Sequence, residues 1–112
     1  MAASPNFMTG VPELLVLRLL QDREMYGYEI VAAVAEATGQ VVAPKEGVIY
    51  PLLHALEQEG LLRAQRRPVG GRIRVYYGLT SKGVRRLFDL SDDWSRMARA
   101  IQHVLKGPTH AI

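Results

Sequence analysis

The stretch EGVIYPLLHALEQEGLL, residues 46–62, decides how the chain is read. Ile49, Leu52, Leu53 and Leu56 recur at helical spacing, and Gly60 closes the run. Pro51 sits inside it with no backbone N–H to give, and a proline in a helix interior costs about 3 kcal/mol, partly because its ring collides with the carbonyl four residues earlier. That earlier residue is Gly47, whose missing side chain lets the backbone adjust. A helix starting near Pro44 or Lys45 puts the bend between an N-terminal turn and the buried Leu52, Leu53, Leu56 face. Pro51 then aims Tyr50 away from the core.

Two helices precede this one. In VPELLVLRLLQDREMY, Pro12 suits a first-turn position, Glu13 complements the helix dipole, and Leu14, Leu15, Leu17 and Leu20 form a broad apolar face, with an end near Arg23. MYGYEIVAAVAEATGQ predicts a second helix from about Tyr26, burying Ile30, Val34 and Ala37 and stopping at Gly39. Beyond Gly60, LLRAQRRP and RIRVYYGLT flank Val69, Gly70 and Gly71, a hairpin with a glycine turn. Its second arm alternates Ile73, Val75, Tyr77 and Leu79 on one face with Arg72, Arg74 and Tyr76 on the other.

A last helix begins near Thr80 or Ser81, either of which can cap it. Leu87, Leu90, Trp94, Met97, Ile101 and Val104 follow the alternating three- and four-residue spacing of a coiled-coil seam. About 25 residues make a rod of roughly 37 Å, longer than a small three-helix domain needs, so its outer part wants another helix. Gly107 and Pro108 end it. Three short helices followed by a ribbon is the order of a winged helix-turn-helix. The expected fold is therefore mainly α with a two-stranded β wing. Residues 1–10 form a flexible arm, 11–80 the winged helix-turn-helix, 81–106 a C-terminal dimerisation helix and 107–112 a tail.

Composition narrows the function. A chain of 112 residues with 48% hydrophobic content can bury one core. No apolar run approaches the roughly 20 residues that cross a bilayer, and MAASPNFMTGVP lacks the basic start and apolar centre of a signal peptide, so a cytoplasmic protein without a membrane partner is expected. With no cysteine there are no disulfides, thiol nucleophiles or common structural zinc sites. His54, His103 and His110 are scattered, and Asp89, Asp92 and Asp93 fall on a helix face opposite Trp94. No metal motif, cofactor motif or catalytic constellation is evident, which argues against an enzyme. Charge is more telling. Leu61 to Phe88 holds eight basic residues, Arg63, Arg66, Arg67, Arg72, Arg74, Lys82, Arg85 and Arg86, and no Asp or Glu. The rest of the chain is net acidic, and such asymmetry points to a polyanionic partner.

YGYEI (Tyr26 to Ile30), GVIYPLLHALEQEGLL (Gly47 to Leu62) and RVYYGLTSKG (Arg74 to Gly83) resemble, in order and spacing, three signature blocks of PadR-like transcriptional regulators. The resemblance covers roughly residues 12–106, and the single C-terminal helix is similar to the short subgroup of the family, which includes multidrug-sensing repressors. It implies a homodimeric, sequence-specific repressor of double-stranded DNA, bound at a palindromic operator and released by a hydrophobic or aromatic small molecule. Carried over by position, Gly47 and Tyr50 match the recognition-helix glycine and tyrosine, Tyr28 a second-helix tyrosine expected to pack, and Arg74, Tyr76 and Lys82 the wing block. Family members commonly have Ser or Thr where this chain has Val48, so a phosphate-binding hydroxyl is absent there. Glu46 either caps the helix or accepts from a cytosine amino group.

The resulting assignment gives phosphate contacts to Arg66, Arg67, Arg72, Arg74, Tyr76 and Lys82, and base reading to Lys45, Gly47, Tyr50 and His54. Leu87, Leu90, Trp94, Met97, Ile101 and Val104 form the dimer seam, where Trp94 and Met97 also meet the effector. The rival readings are a winged-helix interaction module that binds no DNA and a ligand carrier with an apolar dimer pocket.

Overall fold

A computed structural model of the protein describes residues 10–108; the arm proposed for the first residues and most of the proposed tail lie outside them. The elements run α1 (Val11–Asp22), β1 (Met25–Tyr26), α2 (Gly27–Ala37), α3 (Glu46–Gln58), β2 (Leu62–Val69), β3 (Arg72–Leu79) and α4 (Ser81–Lys106). Helix α3 runs unbroken through Pro51, with Lys45 as its N-cap residue. The N–H that Pro51 lacks would have faced the Gly47 carbonyl, and Gly47 is exposed, so water can satisfy that oxygen. Ile49, Leu53 and Leu56 are buried, while Leu52 is only partly covered.

The sheet departs from the expected two strands. Its order is β1-β3-β2, all antiparallel, with Met25 opposite Tyr77 and Tyr26 opposite Tyr76. Tyr26 thus ends a short strand, and α2 begins one residue later than its pattern suggests. The Glu29 carboxylate fixes that start by accepting from the Tyr26 backbone N–H at 3.2 Å. Strand β1 is too short to show period-two alternation, so only its pairing with β3 reveals it. In the β2–β3 hairpin, Val69 pairs with Arg72 across Gly70 and Gly71, both at positive φ, the turn geometry that matches strand twist.

The core joins Val16, Leu17 and Leu20 of α1, Met25, Ile30 and Val34, the α3 stripe, Leu61, Leu62, Tyr77 and Leu87. Several residues depart from the periodicity. Ala37 is exposed at the end of α2, Val16 is fully buried instead of the partly covered Leu14 and Leu15, and Ile73 lies out at the wing tip, 61% exposed. Leu87, placed in the dimer seam by its spacing, is buried in the protomer's own core, and Leu90 packs against it. The seam still open begins at Trp94.

The start of α4 is tied to the end of α3. The Gly60 and Leu61 N–H groups close α3 by donating to the Glu57 and Leu56 carbonyls, a double C-cap. Thr80 Oγ1 donates to the Gly60 carbonyl at 2.7 Å and accepts from Gly83 N at 3.0 Å. A Cβ on Gly83 would lie 2.2 Å from the Leu61 carbonyl oxygen and 2.7 Å from Leu79 Cδ1. Only glycine lets α4 seat this closely. Gly83→Ala should destabilise the protein by about 1–3 kcal/mol, as over-packing does; an unchanged thermal midpoint would show that this corner has slack.

Candidate nucleic-acid interface

Burying Ile49, Leu53 and Leu56 turns the opposite side of α3 to solvent. Gly47, Tyr50 and His54, three of the proposed base readers, are exposed there, and the fourth, Lys45, is exposed at the N-cap that precedes the helix. Tyr50 and His54, one turn apart, border a groove of about 300 Å³ with Tyr26, Gly27 and Tyr28 from the start of α2 and Arg74, Val75 and Tyr77 from β3. The groove exists because β1 stops at Tyr26, leaving the edge of β3 from Val75 outward uncovered.

Gly27 sets the depth of this groove. A Cβ there would meet Tyr50 Cε1 at 2.6 Å, so the Tyr50 ring lies directly on the α2 backbone. Tyr50 is consequently both packed and presented, with 39% of its surface open. Tyr28, expected to pack, is instead 61% exposed at the groove mouth. Its helical phase is the missed signal: on α2 it lies two positions from Ile30, away from the Ile30 and Val34 face. Burial pushes the Tyr77 phenol above its ordinary range, which keeps it neutral on the groove wall.

The wing divides the proposed phosphate contacts. By register, Arg67 opposes Arg74 and Arg66 opposes Val75, so alternation puts Arg67, Arg72, Arg74 and Tyr76 on the outer face and Arg66 on the face toward α3. On the outer face the Arg67 guanidinium lies 4.5 Å from the centre of the Tyr76 ring, Tyr76 meets Tyr26 edge-on at 5.6 Å, and Arg74 lies 4.3 Å from the Tyr26 centroid. Glu24 ends this ladder by accepting from Arg67 and from Arg63. Glu13 pairs with Arg86 at 2.8 Å, joining α1 to α4.

The basic segment is therefore partly neutralised by acids distant in sequence. Arg66, Arg72, Arg74 and Arg85 form no ion pair among the described residues. Lys82 Nζ donates to the Glu59 carbonyl at 2.7 Å, which places its charge at the C-terminal end of α3, far from the Lys45 turn. No His, Asp or Glu cluster of metal-holding kind occurs among the described residues, and none of their helices is long and apolar enough to cross a membrane.

A partly buried helix with an exposed face, beside a basic hairpin, defines the winged-helix class of DNA-binding proteins. The comparisons with known proteins narrow that class. Residues 16–89 match the Transcriptional regulator PadR-like family. The chain is 32% identical over 105 residues to a transcriptional regulator of Mycobacterium tuberculosis, covering 94% of this chain and 92% of that protein. Its fold matches a PadR family transcriptional regulator from Eggerthella lenta with a TM-score of 0.81 at 27% identity, over 91% of this chain and 88% of that one. It also matches Bacillus subtilis PadR, solved in complex with operator DNA, with a TM-score of 0.67 at 32% identity, over 71% of this chain and 45% of that one. The protein belongs to the PadR-like family and is a DNA-binding transcriptional regulator.

The Glu24 ion pairs make stability depend on pH. The hydrogen bond from Arg67 holds the Glu24 carboxyl below its ordinary range against some desolvation. A depressed carboxylate stabilises the fold above its unfolded pKa and loses that contribution as pH falls through the folded pKa. Glu24→Gln should therefore melt lower than the parent at neutral pH, and the gap should close in acid below about pH 4. A gap independent of pH would show that charge is not what Glu24 contributes.

Proposed function

We propose that the protein is a homodimeric repressor that binds a roughly palindromic operator, with one α3 of each protomer in successive major grooves. The observation that carries this reading is the exposed Gly47, Tyr50 and His54 of α3 with Lys45 at its N-cap, together with the wing arginines Arg66, Arg72 and Arg74, which form no ion pair among the described residues. Lys45, Gly47, Tyr50 and His54 read base edges, and Arg66, Arg72 and Arg74 contact flanking phosphates. Arg67 is weaker in that role because it must first leave Glu24. Tyr76 and Lys82 support the wing and the end of α3 more than they reach DNA. Arg72→Ala with Arg74→Ala should weaken operator binding and flatten its salt dependence by roughly 0.9 in log–log slope for each phosphate the wing no longer neutralises. An unchanged slope would remove the wing from the interface.

Self-association is supported by α4. Trp94, Met97, Ile101, Val104 and Leu105 are all exposed in the isolated protomer, with Val104 and Leu105 about three-quarters open. An apolar stripe of this length calls for a partner helix, and a second copy supplies the same seam by symmetry. Trp94 and Met97 also line a cleft of about 170 Å³ with Gly10, Val11, Leu14, Leu90 and Asp93, so Asp93 sits beside Trp94 and not on the opposite face expected for it. A flat apolar effector seated there would favour one dimer geometry over another and so alter the spacing of the two recognition helices. Trp94 is the only tryptophan, and its emission reports both events. It should shift to the red on dilution as protomers separate and be quenched by planar aromatic compounds; emission insensitive to both would count against the seam and the cleft together.

A further inference from the structure

The exposed side of α3 carries two adjacent ridges. One is Gly47, Tyr50 and His54; the other is Val48, Pro51 and Ala55, spaced three and four residues apart and exposed throughout. Val48 leaves 50% of its surface in water, on the first turn of the helix. Neither feature helps the helix by itself: a β-branched residue lowers helix propensity, and a proline removes a hydrogen bond. The ridge also offers no side-chain donor or acceptor. In the major groove, such a surface can recognise one group, the C5-methyl of thymine.

We infer that Val48 and Pro51 pack on thymine methyl groups, so that the first two turns of α3 read A·T pairs by apolar contact. This rests on the reading that α3 enters the major groove. Lys45 immediately precedes α3 and Arg74 borders the groove on its Tyr50 and His54 side, so positive charge lies beside this helix, which suits a polyanion. Glu46, on the same turn, is repelled by phosphate but can accept from a cytosine amino group, so it belongs over base edges as well. The direction given to α3 by burial therefore brings together one polar and one methyl-reading ridge.

The test begins by selecting bound sequences from random duplex DNA with the full-length protein. Each thymine of the enriched half-site is then replaced singly by deoxyuridine, which keeps the pairing edge and the O4 acceptor but lacks the methyl group. One or two positions should lose about fourfold in affinity, the worth of one buried methyl-sized group. Val48→Ala or Pro51→Ala should bind the thymine and deoxyuridine sites equally at those positions. Tolerance of deoxyuridine everywhere, or a loss that persists undiminished in both variants, overturns the inference while leaving DNA reading by α3 intact. Enrichment of no sequence would overturn that underlying reading and this one with it.

Discussion

Burial of the Ile49, Leu53 and Leu56 stripe is the contact on which the rest of the molecule depends. Fully buried aliphatic side chains contribute roughly 1.5–3 kcal/mol each, so the stripe is a large share of what a small domain can accumulate. Its directional effect matters as much as its energy. With a period of 3.6 residues, fixing one face against α2 and β2 fixes the opposite face toward solvent, and Tyr50, His54, Val48 and Pro51 have no freedom to choose otherwise. The glycines at 27 and 83 then set how closely the neighbouring elements approach, one under the Tyr50 ring and the other in the first turn of α4 against the Leu61 carbonyl.

Electrostatics refine this arrangement without driving it. Exposed ion pairs are worth little individually, and the Glu24 and Glu13 contacts are partly solvated. Their role is placement. The run from Glu24 through Arg67, Tyr76 and Tyr26 to Arg74 crosses the outer face of the sheet and couples β1, β2 and β3 through guanidinium and ring contacts. Charge is thus withdrawn from Arg63 and Arg67 and left available on Arg66, Arg72 and Arg74.

Helix α4 divides its work along its length. Leu87 belongs to the protomer's core, Leu90 bridges, and from Trp94 onward the apolar residues face outward. A single heptad-like pattern runs through both segments because both require the same helical stripe, although their packing partners differ. The spacing therefore identifies a helix with an apolar face, and only the position of α1 shows where the face changes partner.

Much of this was legible in the order of residues. Helical periodicity in 46–58, alternation in 72–79, glycines at 60, 70 and 71 and Thr80 before α4 are local signals, and local backbone chemistry suffices to produce the elements they mark. What the tertiary structure decided was every pairing between residues far apart. The strand at Met25 and Tyr26 exists only because β3 lies beside it, and Tyr28 is exposed only because α2 turns its other face inward. Arg63 and Arg67 of the wing meet Glu24 across 39 and 43 residues of chain, and Arg86 of α4 meets Glu13 across 73. Periodicity reports which face of an element is apolar; it carries no information about which other element will cover that face, or which opposite charge folding will bring within reach.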